Sequence, residues 1–406
     1  MAEPDFDLIL YGATSFVGQI MVRYMREAFA DGSVRWAVAG RSEEKLKSVL
    51  SEADVSDIPL FVADAHDEEA LTELCTKTKV IVSTVGPYAL YGDTLVKVCV
   101  ESSTHYCDLT GGPQWIRKMQ EKHEVRAKET GARIVHCCGF DSIPSDLGVR
   151  FLQKEAQARF GAACTRVDMR VAKMKGGASG GTIASIINMI KDASKDASLR
   201  RQLKDPYSLC PRDHDFRQKQ RNVRVGYDDA YGSWIAPFIM AAINTRVVHR
   251  SNALSGNQYG ETFLYEEAMV TKDGGRGKRI ARLADFGLKS LMLGLVFPPT
   301  RWVLENVVLP KPGEGPSPKE QLEGCFELDF LGTTEAGETL RCRVTGDRDP
   351  GYGSTAKMLT QAAACLALDM DEAVEGGFWT PATLLGDALV ERLFSSAGLT
   401  FEVIEL

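Results

Sequence analysis

From its start to about residue 150 the chain alternates short apolar runs with longer stretches of helical periodicity. "DLILYG" predicts a strand and "FVGQIMVRYMREAF" the helix after it. The pairs "VRWAVAG" and "SEEKLKSVL", "IPLFVAD" and "HDEEALTELC", "KVIVSTVG" and "DTLVKVCVES", and "HYCDLTG" and "PQWIRKMQEKHEVRAKET" repeat the alternation; "ARIVHCCG" closes it. Strands alternating with helices of this length indicate a parallel sheet covered on both faces. Right-handed crossovers make the expected fold an α/β, Rossmann-type doubly wound sheet over residues 1–154.

The rhythm then changes. "CTRVDMRVAKM" and "ETFLYEEAMV" predict longer strands, and "GCFELDFLGTTEAGETLRCRVTG" a hairpin whose turn is bounded by Gly332 and Gly337. Strict alternation is lost, so residues 155–350 are expected to form a second α+β domain with a mixed or antiparallel sheet, for substrate and dimerisation. Within it, Lys191 to Arg224 is polar and basic and predicts a solvated helix and loop, and Pro310 to Glu320 a flexible excursion. Residues 351–406 return to helical periodicity and end in "LTFEVIEL"; these helices and the strand are expected to pack back on the first domain. No internal repeat is visible.

Composition narrows the class. Hydrophobic residues make up 44% and charged residues 25% of the 406 residues, as in a globular protein with a full core. The formal charge of -7 argues against nucleic acid as a partner. The ten cysteines show no C-x-x-C pair, and Cys137-Cys138 falls in an apparent strand. Reduced thiols in a cytoplasmic protein without a leader, and no metal site, are the expectation.

"LILYGATSFVGQIM" places a helix directly after a strand, which aims free N–H groups and a positive dipole end at what lies above. Gly12 makes the turn and Gly18 lets the helix pack on the strand, but Ser15 stands where a middle glycine is usual. Thr14 and Ser15 could donate to a phosphate, with Phe16 and Val17 on the first helical turn; the alternative is a glycine turn with no ligand. At the end of the second strand, Arg41 and Ser42 occupy the position where a carboxylate would select NAD and a cation NADP. A guanidinium matches phosphate geometry, so NADPH is expected over NADH. Alternatively, Arg41 is a surface residue and Ser42 a helix cap. Asp64, ending the third strand, could meet the adenine or cap a helix. Ser83, Thr84, Val85, Gly86, Pro87 and Tyr88 end or follow the fourth strand, on the ligand side of such sheets; Tyr88 and Tyr91 could line the nicotinamide pocket or simply pack the loop.

At "GPYALYG", "HYCDLTGGPQW" and "CGFDSIPSDLG" the chain resembles the saccharopine dehydrogenase-like oxidoreductases, and more narrowly their trans-acting enoyl reductase branch. "GGASGGTIAS" and "GGFWTPATLLGDALVERLFSSAGLTFEV" resemble the same branch. The resemblance runs from the first strand to the last, with Ser15 as a departure. It implies an NAD(P)-binding Rossmann domain, a mixed second domain and a homodimer. It also implies reduction of a double bond on a carrier-bound acyl or polyketide-type chain, and for some members a lipid surface, peripheral membrane or lipid droplet.

No tyrosine has a lysine four residues on, which argues against short-chain-dehydrogenase chemistry. Reduction of a conjugated C=C needs hydride at the β-carbon, a held enolate oxygen and a proton at the α-carbon. Asp141 and Ser142 in "GFDSIPSDLG" follow the sixth strand and are the catalytic candidates; either could instead cap the next helix. Asp108 and Thr110 also sit at a strand end and could shape the substrate site; Ser179, Gly180, Gly181 and Thr182 precede an apparent helix whose N–H groups could hold a substrate oxygen, or form an ordinary glycine turn. "GKRIARLADFGLKSLMLGLVFPPTRW" joins a basic start to the apolar run Leu291 to Phe297. It is shorter than the roughly twenty residues a bilayer span needs, and fits a core or interface helix, an acyl channel, or a membrane surface met through Lys278, Arg279 and Arg282. Three readings follow: an NADPH-dependent reductase of an acyl-type lipid, a saccharopine-type amino-acid dehydrogenase, and a non-catalytic NADPH-binding lipid or scaffold protein.

Overall fold

The structure, a computed structural model, describes residues 4–176, 180–304, 315–371 and 373–405, with backbone alone for 180–186. In its first part β1 (Phe6–Tyr11), β2 (Trp36–Gly40), β3 (Leu60–Val62), β4 (Thr78–Ser83), β5 (His105–Asp108) and β6 (Arg133–Val135) are interleaved with six helices. These are α1 (Phe16–Ala28), α2 (Glu43–Glu52), α3 (Glu68–Thr76), α4 (Tyr88–Tyr91), α5 (Asp93–Glu101) and α6 (Pro113–Thr130). Helix α7 (Ile143–Phe160) leads to β7 (Cys164–Lys175), α8 (Gly180–Lys195), α9 (Ala197–Gln202), β8 (Gly226–Asp228), β9 (Ser233–Pro237), α10 (Ala241–Leu254) and β10 (Leu264–Val270). Then follow α11 (Gly274–Val296), α12 (Pro298–Val303), α13 (Pro318–Glu323), β11 (Cys325–Thr334), β12 (Thr339–Gly346), α14 (Thr355–Leu368), β13 (Gly377–Trp379), α15 (Gly386–Arg392) and β14 (Leu399–Ile404).

The first sheet has seven strands in the order β13-β6-β5-β4-β1-β2-β3, every pairing parallel. The apolar run in β1 has a direct cause. Leu8 and Leu10 enter one core, with Val38, Val80 and Val82, while Ile9 enters the other, with Ala37 and Ile81. Both faces are covered, so neither can be polar. The second sheet, β14-β12-β11-β7-β10-β9-β8, is antiparallel except for β7 beside β10.

Several sequence expectations are corrected. The terminal helix α14 does pack on β1, β4 and β5, and β13 extends the first sheet, but β14 pairs with β12 in the second. Gly332 lies inside β11, where it admits Leu152 and Cys164; the hairpin turn comes after Thr334. Strand β6 ends at Val135, so Cys137 and Cys138 lie past it, and Cys137 has φ +63°. The stretch from Lys191 to Arg224 is not simply solvated. Its few apolar side chains decide where it lies: Tyr207, Leu209, Cys210 and Phe216 are buried, and Leu209 joins Ile243 and Val247 of α10. Part of Pro310 to Glu320 lies outside the described residues. Among the described residues no helix is long and apolar enough to cross a membrane.

Candidate active site

The loop between β1 and α1 closes tightly. Gly12 has φ +98°, and a Cβ there would stand 2.7 Å from Thr84 Oγ1; a Cβ on Gly18 would stand 2.3 Å from the Gly12 carbonyl oxygen. Ser15 is the N-cap of α1, its Oγ accepting from the Gly18 N–H at 2.9 Å. The Ser15 hydroxyl donates to Thr84 Oγ1 at 2.9 Å, and the Thr84 hydroxyl donates to the Gly12 carbonyl at 2.9 Å. In this arrangement the Ser15 hydroxyl is turned to Thr84, and it braces the loop where a glycine is usual. The donors left for an anion are the N–H groups of Phe16 and Val17, which have no intrahelical acceptor.

At the end of β2, Arg41 is exposed and has no hydrogen bond or ion pair among the described residues. Ser42 caps α2, accepting from the Lys45 N–H at 3.4 Å. Register pairs Gly40 with Val62, so Arg41 and Asp64 follow neighbouring strand ends one step out of register, and both charges bear on the Tyr11 phenol. Asp64 Oδ1 accepts from the His66 N–H at 3.0 Å. A glycine cradle at a helix N-terminus with a free guanidinium beside the next strand fits a dinucleotide bearing a 2′-phosphate.

Beyond the cradle lies a cavity of about 560 Å³. Thr14, Ser15, Phe16 and Val17 line its coenzyme end, with Thr84, Gly86, Pro87 and Tyr88 from the end of β4. Tyr88 is also a strut, its buried hydroxyl donating to the Ser83 carbonyl at 2.8 Å. Ser83 is buried behind this wall. Val85 packs toward the core, and Tyr91 lies against His66; neither lines the cavity.

Of the two catalytic candidates only Asp141 faces the cavity. Ser142 begins α7 without capping it; its hydroxyl is fully buried and donates to Asn244 Oδ1 at 3.1 Å. Asn244 in turn donates to Ser145 and Glu267, so Ser142 belongs to a polar network behind the site. Asp141 is half-buried beside Gly111 and has no hydrogen-bond partner among the described residues. Burial, then the Asp108 carboxylate, pushes its carboxyl up from 3.8 to about 7. Such a group is a proton donor near neutral pH.

Asp108 and Thr110, expected at the substrate, are buried and do not line the cavity. Asp108 is wholly buried and accepts from Tyr106 at 3.0 Å, from the Thr110 N–H at 3.1 Å and, at Oδ1, from the strained Cys137 N–H at 3.4 Å; it also bonds His136 Nδ1 at 2.8 Å. It organises the ends of β5 and β6. Thr110 Oγ1 accepts from the Gly112 N–H, and it is the flanking Leu109, Gly111 and Gly112 that reach the cavity. Ser179 lies outside the described residues; Gly180, Gly181 and Thr182 open α8, which reaches the cavity through Met189.

The remaining wall is formed by Phe238, Ile239 and Met240 between β9 and α10, by Ala242, Ile243 and Arg246 of α10, and by Leu288 and Met292 of α11. Leu288 and Met292 belong to the stretch for which the sequence offered an acyl channel among its readings; the residues around the start of α10 carry no such signal. Arg246 is the single cation among the described lining residues.

A family profile described as saccharopine dehydrogenase NADP binding domain matches residues 8–135. A Mycobacterium tuberculosis protein provisionally designated a trans-acting enoyl reductase is 39% identical over 424 residues, covering 99% of this chain and 98% of its own. The trans-acting enoyl reductase of Mycobacterium ulcerans is 38% identical over 97% of this chain and 96% of its own. Saccharopine dehydrogenase (L-Glu forming) from Saccharomyces cerevisiae shares the fold, with a TM-score of 0.54 at 12% identity over 98% of this chain and 99% of that one.

Proposed function

The chain belongs to the saccharopine dehydrogenase-like oxidoreductases, in their trans-acting enoyl reductase branch, and from that membership we propose that it reduces the C=C bond of an acyl or polyketide-type lipid. It is an NADP(H)-dependent oxidoreductase; the proposal concerns the bond reduced and the lipid character of the substrate. The observation that carries the reading is an unpartnered acid, Asp141, on an otherwise largely apolar cavity next to the phosphate cradle.

The N–H groups of Phe16 and Val17 hold the pyrophosphate, and Arg41 holds the 2′-phosphate. When bound, the reduced coenzyme supplies the hydride. Asp141 gives its proton to the substrate's α-carbon, becomes a carboxylate and is reprotonated from solvent. Phe238, Ile243, Leu288 and Met292 keep water from the acyl chain. A saccharopine-type substrate, with several carboxylates, would call for several converging cations. Arg246 is the single cation lining this cavity among the described residues, which favours the acyl reading.

The same helix that lends Leu288 and Met292 to the cavity turns Leu283, Phe286, Leu293 and Val296 to solvent, with Phe297 just past its end. It carries Arg276, Lys278, Arg279, Arg282 and Lys289 against one acid, Asp285, in a chain of charge -7. We read this face as a contact with an anionic lipid surface. Co-sedimentation with phosphatidylserine vesicles that survives charge reversal at Arg279 and Arg282 would remove that reading.

The enzymatic test is NADPH consumption by the purified protein. Oxidation with a trans-2-enoyl thioester supports the proposal. Turnover of saccharopine instead supports the amino-acid reading, and tight NADPH binding without turnover of either supports a non-catalytic role.

A further inference from the structure

Arg246 is buried to 6% exposure at the cavity wall. Its Nε donates to Ser208 Oγ at 3.0 Å, one terminal nitrogen donates to the Leu203 carbonyl at 2.6 Å, and the other donates to the Ala242 carbonyl. Three of the five guanidinium N–H groups are thereby used, leaving one on each terminal nitrogen. All three acceptors are neutral. Of the other buried arginines, Arg170 pairs with Asp228 and Glu266 at 2.7 Å each and Arg250 with Glu124 at 3.5 Å, while Arg133, away from the cavity, donates to the carbonyls of Asp371 and Val374. Arg246 has no ion-pair partner among the described residues. Asp205 is near enough to influence it, but stands exposed, with Oδ1 accepting from the Tyr207 N–H at 2.9 Å. A buried cation held only by dipoles is incompletely compensated. It lies where a ligand can supply the missing charge.

We propose that Arg246 anchors a carboxylate carried by the substrate apart from its reacting enoyl group, so that the site takes an amphiphilic chain with one acid: an anionic head on the guanidinium and an apolar body against Phe238, Ile243, Leu288 and Met292. Two N–H donors on separate terminal nitrogens match the two oxygens of a carboxylate. The apolar surroundings favour that group over a more strongly hydrated dianionic phosphate. Burial draws the guanidinium below its ordinary value, the expected state of a cation still lacking its counter-charge. The inference rests on the acyl-reductase reading for its reactive end but not for the head group.

The test is calorimetric titration of the NADP-loaded protein with decanoate and with methyl decanoate. The acid is expected to bind about tenfold to a hundredfold more tightly than the ester, the range of a charge-assisted hydrogen-bond pair. Arg246→Gln should bring the two within about twofold of each other by weakening the acid, and Arg246→Lys should keep part of the preference. NADPH affinity should be unchanged in both variants, which also reports on folding. Equal binding of acid and ester by the wild type overturns the proposal, as does a folded Arg246→Gln protein that keeps the preference. Loss of NADPH affinity in a variant with unaltered melting overturns it too, because Arg246 would then serve the coenzyme. Should Arg246→Gln not fold, the wild-type pair and Arg246→Lys still decide. Enoyl thioester turnover is measured separately. An Arg246-dependent acid preference without such turnover rejects the reductase reading and upholds the carboxylate site; turnover without acid preference does the reverse.

Discussion

Asp141 and Ser142 adjoin in the chain, yet the turn that opens α7 sends one carboxyl to the cavity and the other side chain to Asn244. Replacing Asp141 by Asn keeps the volume and removes the proton. Turnover is expected to fall by about a hundredfold to ten-thousandfold, with NADPH binding retained. The wild-type rate should decline as pH rises through about 7, and that limb should be absent in the variant. Stability should fall over the same rise in pH. The unfolded carboxyl releases its proton near 3.8 and the folded one near 7, so the folded state is penalised progressively as pH climbs between them and fully above. Asp141→Asn should therefore raise the melting temperature relative to wild type at about pH 8 and less so at about pH 5. Arg41 gives a second residue-scale prediction. With no partner to satisfy, it can be changed without unpairing a carboxylate. Arg41→Asp should erase or reverse the preference for NADPH over NADH, losing about tenfold or more in NADPH affinity by fluorescence titration. At this scale the sequence revealed residues whose type and position carry a mechanism, such as Gly12, Gly18 and Arg41. It did not reveal that Ser15 donates inward, or that Asp108 faces the core, because a side chain's direction depends on partners far along the chain.

At the scale of elements, periodicity told strand from helix through most of the first sheet, because runs buried on both faces leave an apolar signature. It could not find β13, three residues long, or recognise the start of α10 as a cavity wall. Phe238, Ile243 and Met292 are the residues any core would use, and only the placement of α10 and α11 makes them line a site. Helix α7 shows how close the elements come. A Cβ on Gly148 would fall 2.4 Å from Phe330 Cζ, so the helix crosses β11 on a bare backbone. Phe330 is fully buried and has no room to retreat. Gly148→Ala is expected to lower the urea midpoint by an amount corresponding to about 1–3 kcal/mol, despite the better helix propensity of alanine. An unchanged midpoint would mean that α7 and β11 can slide apart.

For the whole molecule, the decisive feature is the return of the chain after β12. Helix α14 lays Met358, Leu359, Ala362 and Ala363, all fully buried, in the core shared with Leu8, Leu10, Val80 and Val82. Strand β13 then closes the edge of the first sheet at β6, where Arg133 donates to the carbonyls of Asp371 and Val374. Strand β14 crosses to the edge of the second sheet, so a single terminal segment completes both. Residues 1–154, which look self-sufficient when read as a string of strands and helices, therefore lack one cover of their own sheet. At roughly 25 cal/mol per Å² of apolar surface left wet, an uncovered helix-sized patch of about 400 Å² costs about 10 kcal/mol, comparable with the about 5–15 kcal/mol by which a domain is usually stable. A fragment of residues 1–154 is expected to show no cooperative transition by circular dichroism in urea, and no NADPH binding. The intact chain should lose both sheets in one transition, because α7 and the terminal segment tie them together. Cooperative unfolding of the fragment would show that α14 rests on a sheet already stable without it.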